Sequence, residues 1–388
     1  MAAQYNPAFH HRTDSFNRGA QAGAIGRSFG RARWAARTTL PVRQVATQYQ
    51  PSPRSECVSN CHQHRRARIR PCAMGDHQSL SWHCRVWAVK KSPDSWKFKP
   101  FGTHNIETMR IGANTLIWTA GFDQEHIPLL AEIKKHGFDV AELARFEWAG
   151  FPACEIRREA ERLQLEIICC TAFTSREQSL VSDDAAARRN GVEFIKRAID
   201  ASAAVGARTL VGPFYSAVGY LPGRRRTADE WSRAVEALRE LGEHAKKAEV
   251  TLAVEPLNRF ETYFLNTAAD GARLCAEVNH PNVGLLYDTF HAHIEEKDQG
   301  KAIRLVGSHL KHFHSCENDR GAPGSGQVDW PAVFAALRDI DYRGAMVIES
   351  FGYAIKELAA AACIWRDLAS SPDAIAWDGI GFLREHTQ

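Results

Sequence analysis

From Met109 onward the chain repeats one pattern eight times, a short apolar run followed by a longer amphipathic stretch, and this period narrows the available folds more than any other feature. Strand-like runs fall at 110–118, 139–144, 165–171, 207–213, 250–256, 282–288, 308–314 and 344–350. Helical stretches follow at 123–136, 152–164, 183–205, 228–249, 268–278, 298–306, 330–339 and 353–368. Thr227 and Glu230 read as a capping box, and Asp329 stands as a cap ahead of a first-turn Pro331. Eight strand–helix units in 280 residues close most naturally as an α/β fold of the (β/α)8, or TIM, barrel type. A doubly wound open sheet is the alternative.

Charge divides the chain at the same place. Up to Thr108 there are 17 Lys and Arg against 5 Asp and Glu, a net +12, whereas the remainder holds 32 against 40, a net −8. Two domains are therefore expected: a basic, low-order extension over 1–108 and a catalytic barrel over 109–388. The extension has no sustained strand or helix period. Cys57, Cys61, Cys72 and Cys84 lack the paired short spacing of a zinc ribbon. Its Arg-rich, acid-poor composition is similar to that of a transit segment. Met109, immediately before the first strand, also suggests that the extension is not native; that reading, or simple disorder, is favoured over any function. An acidic body argues against nucleic acid as a partner, since phosphate binding needs a basic face. No apolar stretch approaches the roughly 18 residues of a membrane span. Scattered cysteines at 154, 169, 170, 275, 316 and 363 fit reduced thiols in a cytoplasmic enzyme better than a disulfide framework.

Four ionisable residues close four consecutive apolar runs: Glu255 in TLAVEP, Asp288 in VGLLYD, His314 in HLKHFH and Glu349 in AMVIES. In a barrel the C-terminal strand ends gather at one face, so the four would meet. Three carboxylates and an imidazole suit Mn²⁺, or else Mg²⁺ or Co²⁺, better than a structural zinc. Singly, each has an ordinary explanation: Glu255 paired with Arg259, Asp288 a helix cap, His314 a bonded core histidine, Glu349 a surface charge. Together, at the ends of strands five to eight, those explanations weaken. Glu261, His291 and Arg320 follow at short intervals and should hang over the mouth, where they suit the hydroxyls and carbonyl of a small polyol. Arg320 has a competing partner in Glu317 or Asp319. His312 shares a strand face with His314, in a core or supporting role, and Cys316 is expected to pack at the strand end.

The runs VEPLNRFE, LYDTFH, HFHSCENDRGAPGSGQVDW and VIESF resemble the ketose 3-epimerases, the D-tagatose and D-allulose (D-psicose) 3-epimerase group of the xylose-isomerase-like barrels. The resemblance spans about residues 109–370, with intervals of 33, 26 and 35 between the four ligand candidates matching as well. It implies one catalytic metal on Glu255, Asp288, His314 and Glu349. It implies substrate contacts from Glu261, His291 and Arg320, with Phe351 on the apolar side. It also implies acid–base roles for Glu255 and Glu349 through a cis-enediolate, and a homodimer or homotetramer. Free ketoses of the D-tagatose/D-sorbose and D-fructose/D-allulose type are the expected substrates. The alternatives are an aldose–ketose or hydroxypyruvate-type isomerase and, further off, a metal nuclease related to endonuclease IV.

Overall fold

The computed structural model describes residues 109–387. The readings placed on residues 1–108 lie outside the described residues. Eight parallel strands pair in chain order and close on themselves: β1 (Arg110–Asn114), β2 (Val140–Ala144), β3 (Glu166–Cys170), β4 (Thr209–Gly212), β5 (Thr251–Val254), β6 (Val283–Asp288), β7 (Leu310–His314) and β8 (Ala345–Ile348). This is the expected (β/α)8 barrel, and closure excludes the open sheet. Side-chain alternation splits each strand between two cores. Val140, Ala144, Ile168, Cys170, Val211, Ala253, Leu286 and Val347 fill the interior. Their neighbours Ala141, Leu143, Ile167, Leu210, Leu252, Leu285, Phe313 and Met346 pack outward beneath the helices.

Between strands β1 and β6 run α1 (Leu129–Lys135), α2 (Ala153–Leu163), α3 (Ala185–Val205), α4 (Ala228–Lys247) and α5 (Ala268–Val278). Then follow α6 (Thr289–Glu295), α7 (Gln299–Val306), α8 (Trp330–Asp339), α9 (Lys356–Ala361) and α10 (Pro372–His386). The Thr227–Glu230 capping box and the Asp329 cap both form. Three departures from the sequence reading have local causes. The first strand stops at Asn114 because its side chain accepts from the Leu116 N–H at 2.8 Å and turns 115–117 into a 3₁₀ helix. The stretch 123–136 divides around Pro128: a 3₁₀ turn at Gln124–His126 precedes it and α1 follows. The final stretch, read as a helix over 353–368, carries only α9. The helix that closes the barrel is α10, opened by a Ser371 cap and Pro372 in its first turn. Ile375, Ala376, Ile380 and Leu383 of α10 join the outer core with Ile111 and Ile348.

One glycine governs the geometry of the mouth. Gly212 ends β4 at φ +132°, and a Cβ there would stand 2.0 Å from the carbonyl oxygen of Thr171 at the end of β3. Its own carbonyl accepts the backbone N–H of Glu255 at 3.1 Å, so the close strand approach also places the residue after β5. Gly212→Ala is expected to destabilise the barrel by about 3 kcal/mol, read as a lower denaturant midpoint; an unchanged midpoint contradicts this account of the β3–β4 junction.

Candidate metal centre

Four strand ends bring Glu255, Asp288, His314 and Glu349 together, with one ligand atom of each lying within 4.8 Å of the others. All four are buried. Nδ1 of His314 lies 3.4 Å from Glu349 Oε2, 3.7 Å from Asp288 Oδ2 and 4.0 Å from Glu255 Oε1. The ordinary roles weighed for these residues prove partly true, on other atoms. Asp288 caps α6 through Oδ1, which accepts from the Phe290 N–H at 2.6 Å, while Oδ2 faces the cluster. His314 is hydrogen-bonded through Nε2, whereas Nδ1 faces the carboxylates. Arg259 pairs with Glu295 at 2.8 Å and leaves Glu255 without it.

The donor set fits a divalent cation. His314 Nδ1 and Glu255 Oε1 are buried without any hydrogen-bond partner, a costly state for polar atoms. Burial, and next the charges of Glu349 and Asp288, push the Glu255 carboxyl well above the usual carboxylate range. Burial alone would lower His314, but the charges of Glu349 and Glu142 outweigh it and raise the imidazole well above its ordinary value. For Asp288 burial is outweighed by Arg320 and His291, which hold it well below the usual range. A cation among these atoms would replace like-charge repulsion by attraction and return Glu255 to the ionised form that a base requires. Part of that neutralisation comes from Arg320, whose Nη1 lies 2.8 Å from both Asp288 Oδ2 and Glu349 Oε2.

Arg320 therefore joins the cluster and does not pair with Glu317 or Asp319. Asp319 pairs with Arg366 at 2.6 Å. Glu317 accepts from the Trp330 indole at 2.6 Å and the Gly324 N–H at 2.8 Å, so it ties down the loop after β7. The Arg320 guanidinium stands 4.0 Å from the Phe290 ring centroid and 4.9 Å from that of Phe351. Its backbone sits at φ +68°, held by a 2.6 Å hydrogen bond that Ser350 Oγ donates to its carbonyl. A bulky non-glycine residue in that region is strained, and the surrounding contacts maintain it.

His291 is buried at 3%, and the Asn258 backbone N–H donates to its Nδ1 at 3.1 Å. Burial lowers the His291 pKa. Its Nε2 stands 3.5 Å from Glu255 Oε1 and 3.0 Å from Arg320 Nη2. Glu261 Oε1 accepts from Asn258 Nδ2 at 2.8 Å and completes the chain Glu261–Asn258–His291. Sequence reasoning missed Asn258, Phe290, Asn114 and Glu142. Cys316 packs as expected, its thiol pushed well up by burial and donating to the Glu349 carbonyl at 3.1 Å.

Among known proteins, the profile of the xylose isomerase-like TIM barrels matches residues 130–386. A probable ketose 3-epimerase of Synechocystis sp. is 38% identical over 280 residues, 72% of this chain and 97% of that protein. A D-psicose 3-epimerase of Agrobacterium fabrum is 34% identical over 266 residues, covering 67% and 90%. Among solved structures, D-allulose 3-epimerase from Methylomonas sp. in complex with D-allulose aligns with a TM-score of 0.68 at 28% identity, covering 72% of this chain and 97% of its own.

The raised pKa values of Glu255 and His314 mean that the metal-free cluster retains protons that ligation must displace. Mn²⁺ affinity should therefore rise with pH, with proton release seen by calorimetry in buffers of different ionisation enthalpy. Binding independent of pH and buffer contradicts this.

Proposed function

The chain belongs to the ketose 3-epimerases of the xylose isomerase-like TIM barrel family, and we propose that it inverts carbon 3 of free ketoses with one divalent cation held by Glu255, Asp288, His314 and Glu349. The observation that carries this reading is the convergence of Glu255 and Glu349, from the non-adjacent strands β5 and β8, on one buried point beside Arg320 and His291. Hard oxygen donors with a single imidazole favour Mn²⁺, with Co²⁺ or Mg²⁺ as substitutes.

When bound, the cation supplies Lewis-acid polarisation of the ketose carbonyl and offsets the negative charge of the enediolate. The protein's own groups do the rest. One of Glu255 and Glu349 takes the proton from carbon 3, and the C–H electron pair moves into the carbon 2–carbon 3 bond of a cis-enediolate. The other glutamate returns a proton to the opposite face of carbon 3, and the reverse reaction exchanges their roles. His291 and Arg320 donate to substrate oxygens, Glu261 accepts from a hydroxyl, and Phe351 lies along the apolar edge of the sugar. Arg320 also adds positive charge where the oxyanion develops.

Interconversions of the D-fructose/D-allulose and D-tagatose/D-sorbose type are the proposed reactions, supported by the D-allulose held in the Methylomonas sp. relative. The described cysteines are all free, and no described helix is long and apolar enough to cross a membrane. A cytoplasmic location and a homodimeric or homotetrameric assembly complete the proposal. Glu349→Gln and Glu255→Gln should each lower kcat/KM by about 10²- to 10⁴-fold with an unchanged circular dichroism spectrum; near-normal turnover by either variant contradicts the assignment of acid and base.

A further inference from the structure

The reaction as proposed leaves the fully buried carboxylate of Glu142 unused. Glu142, in the middle of β2, is 0% exposed and lies inside the barrel with His312 and His314 of β7. Its Oε1 accepts from Nε2 of His314 at 2.9 Å and from Nδ2 of Asn114 at 2.7 Å. Its Oε2 lies 2.7 Å from Nε2 of His312, close but poorly aligned for a hydrogen bond, so that both atoms count as unpaired by geometry. The Asn114 amide is oriented without ambiguity, because its oxygen accepts from the Leu116 N–H and its NH₂ must face the carboxylates. That same NH₂ reaches Glu349 Oε1 at 3.4 Å and links the two glutamates.

Resting on the metal reading above, we propose that Glu142 is a positioning residue that holds His314 as the metal ligand, with Asn114 fixing Glu142 in turn. A carboxylate oxygen 2.9 Å from Nε2 tolerates only the tautomer with the proton on that nitrogen. The lone pair is then on Nδ1, which faces Glu255, Asp288 and Glu349. The negative charge behind the ring also makes Nδ1 a stronger donor to a cation, as outer carboxylates do for other metal-binding histidines. Burying a carboxylate in a barrel interior is expensive, and an apolar side chain would fill the same space at no such cost. Glu142 is therefore better explained by the site than by packing. A role in packing alone would show as lost stability with metal affinity intact.

The test uses the full chain stripped of metal and titrated with Mn²⁺ by calorimetry, alongside Glu142→Gln. Wild type should bind one equivalent, and Glu142→Gln should bind about 10- to 100-fold more weakly. At saturating Mn²⁺ the variant should recover most of its kcat with little change in KM. Equal affinity of the two proteins overturns the positioning role while leaving the metal site standing. A wild-type chain that takes up no Mn²⁺ overturns the metal reading and the positioning role together. A second measurement needs no variant, and so holds even where Glu142→Gln does not fold. In the Mg²⁺-loaded wild type, nitrogen-15 shifts should show His314 Nε2 protonated and hydrogen-bonded, and a proton-free Nε2 overturns the assignment.

Discussion

Crowding of negative charge at a dry point is the constraint on which the rest of this protein depends. Three carboxylates converge within 4.8 Å of one another and of an imidazole nitrogen, all shielded from water. Such a cluster persists only with compensating positive charge, since isolated buried carboxylates are among the most unfavourable groups a fold can contain. Arg320 contributes one charge, and the proposed divalent cation would supply the rest. The strained backbone of Arg320, the packing of Phe290 and Phe351 against its guanidinium, and the loop tied down by Glu317 all deliver that charge to the cluster.

The same constraint explains how rigidly the strand ends are built. Gly212 brings β3 and β4 close and receives the N–H of Glu255, while Asp288 anchors α6 with one oxygen and presents the other inward. Each metal-facing group is thus held by backbone or by a partner on its far side. The proton transfer proposed for these carboxylates demands this, because a displacement of about 1 Å in a reacting group already costs heavily in rate.

Much of the fold was legible because barrel strands and helices obey two clear periods. All eight strands and most helix starts follow from them. The closing helix was missed because apolar residues over 353–368 imitate a helix face, whereas the true start is the Ser371–Pro372 cap. In the site, Glu255, Asp288, His314 and Glu349 were legible because strand ends in such a barrel share one face. Glu142 was not, although a lone carboxylate inside VAELA is its own signal. That residue acquires meaning only when closure sets β2 across the interior from β7. Asn258 and Phe290 act through contacts between α6 and the loops after β5 and β7, for which sequence spacing holds no information.

The central claim is that this cluster exchanges a proton at carbon 3 of a ketose. The most direct measurement is to incubate the Mn²⁺-loaded protein with a ketohexose panel in deuterated water and locate the deuterium by nuclear magnetic resonance. Deuterium at carbon 3 of both the recovered substrate and its epimer is the expected result. Deuterium at carbon 1, or an aldose product, contradicts it.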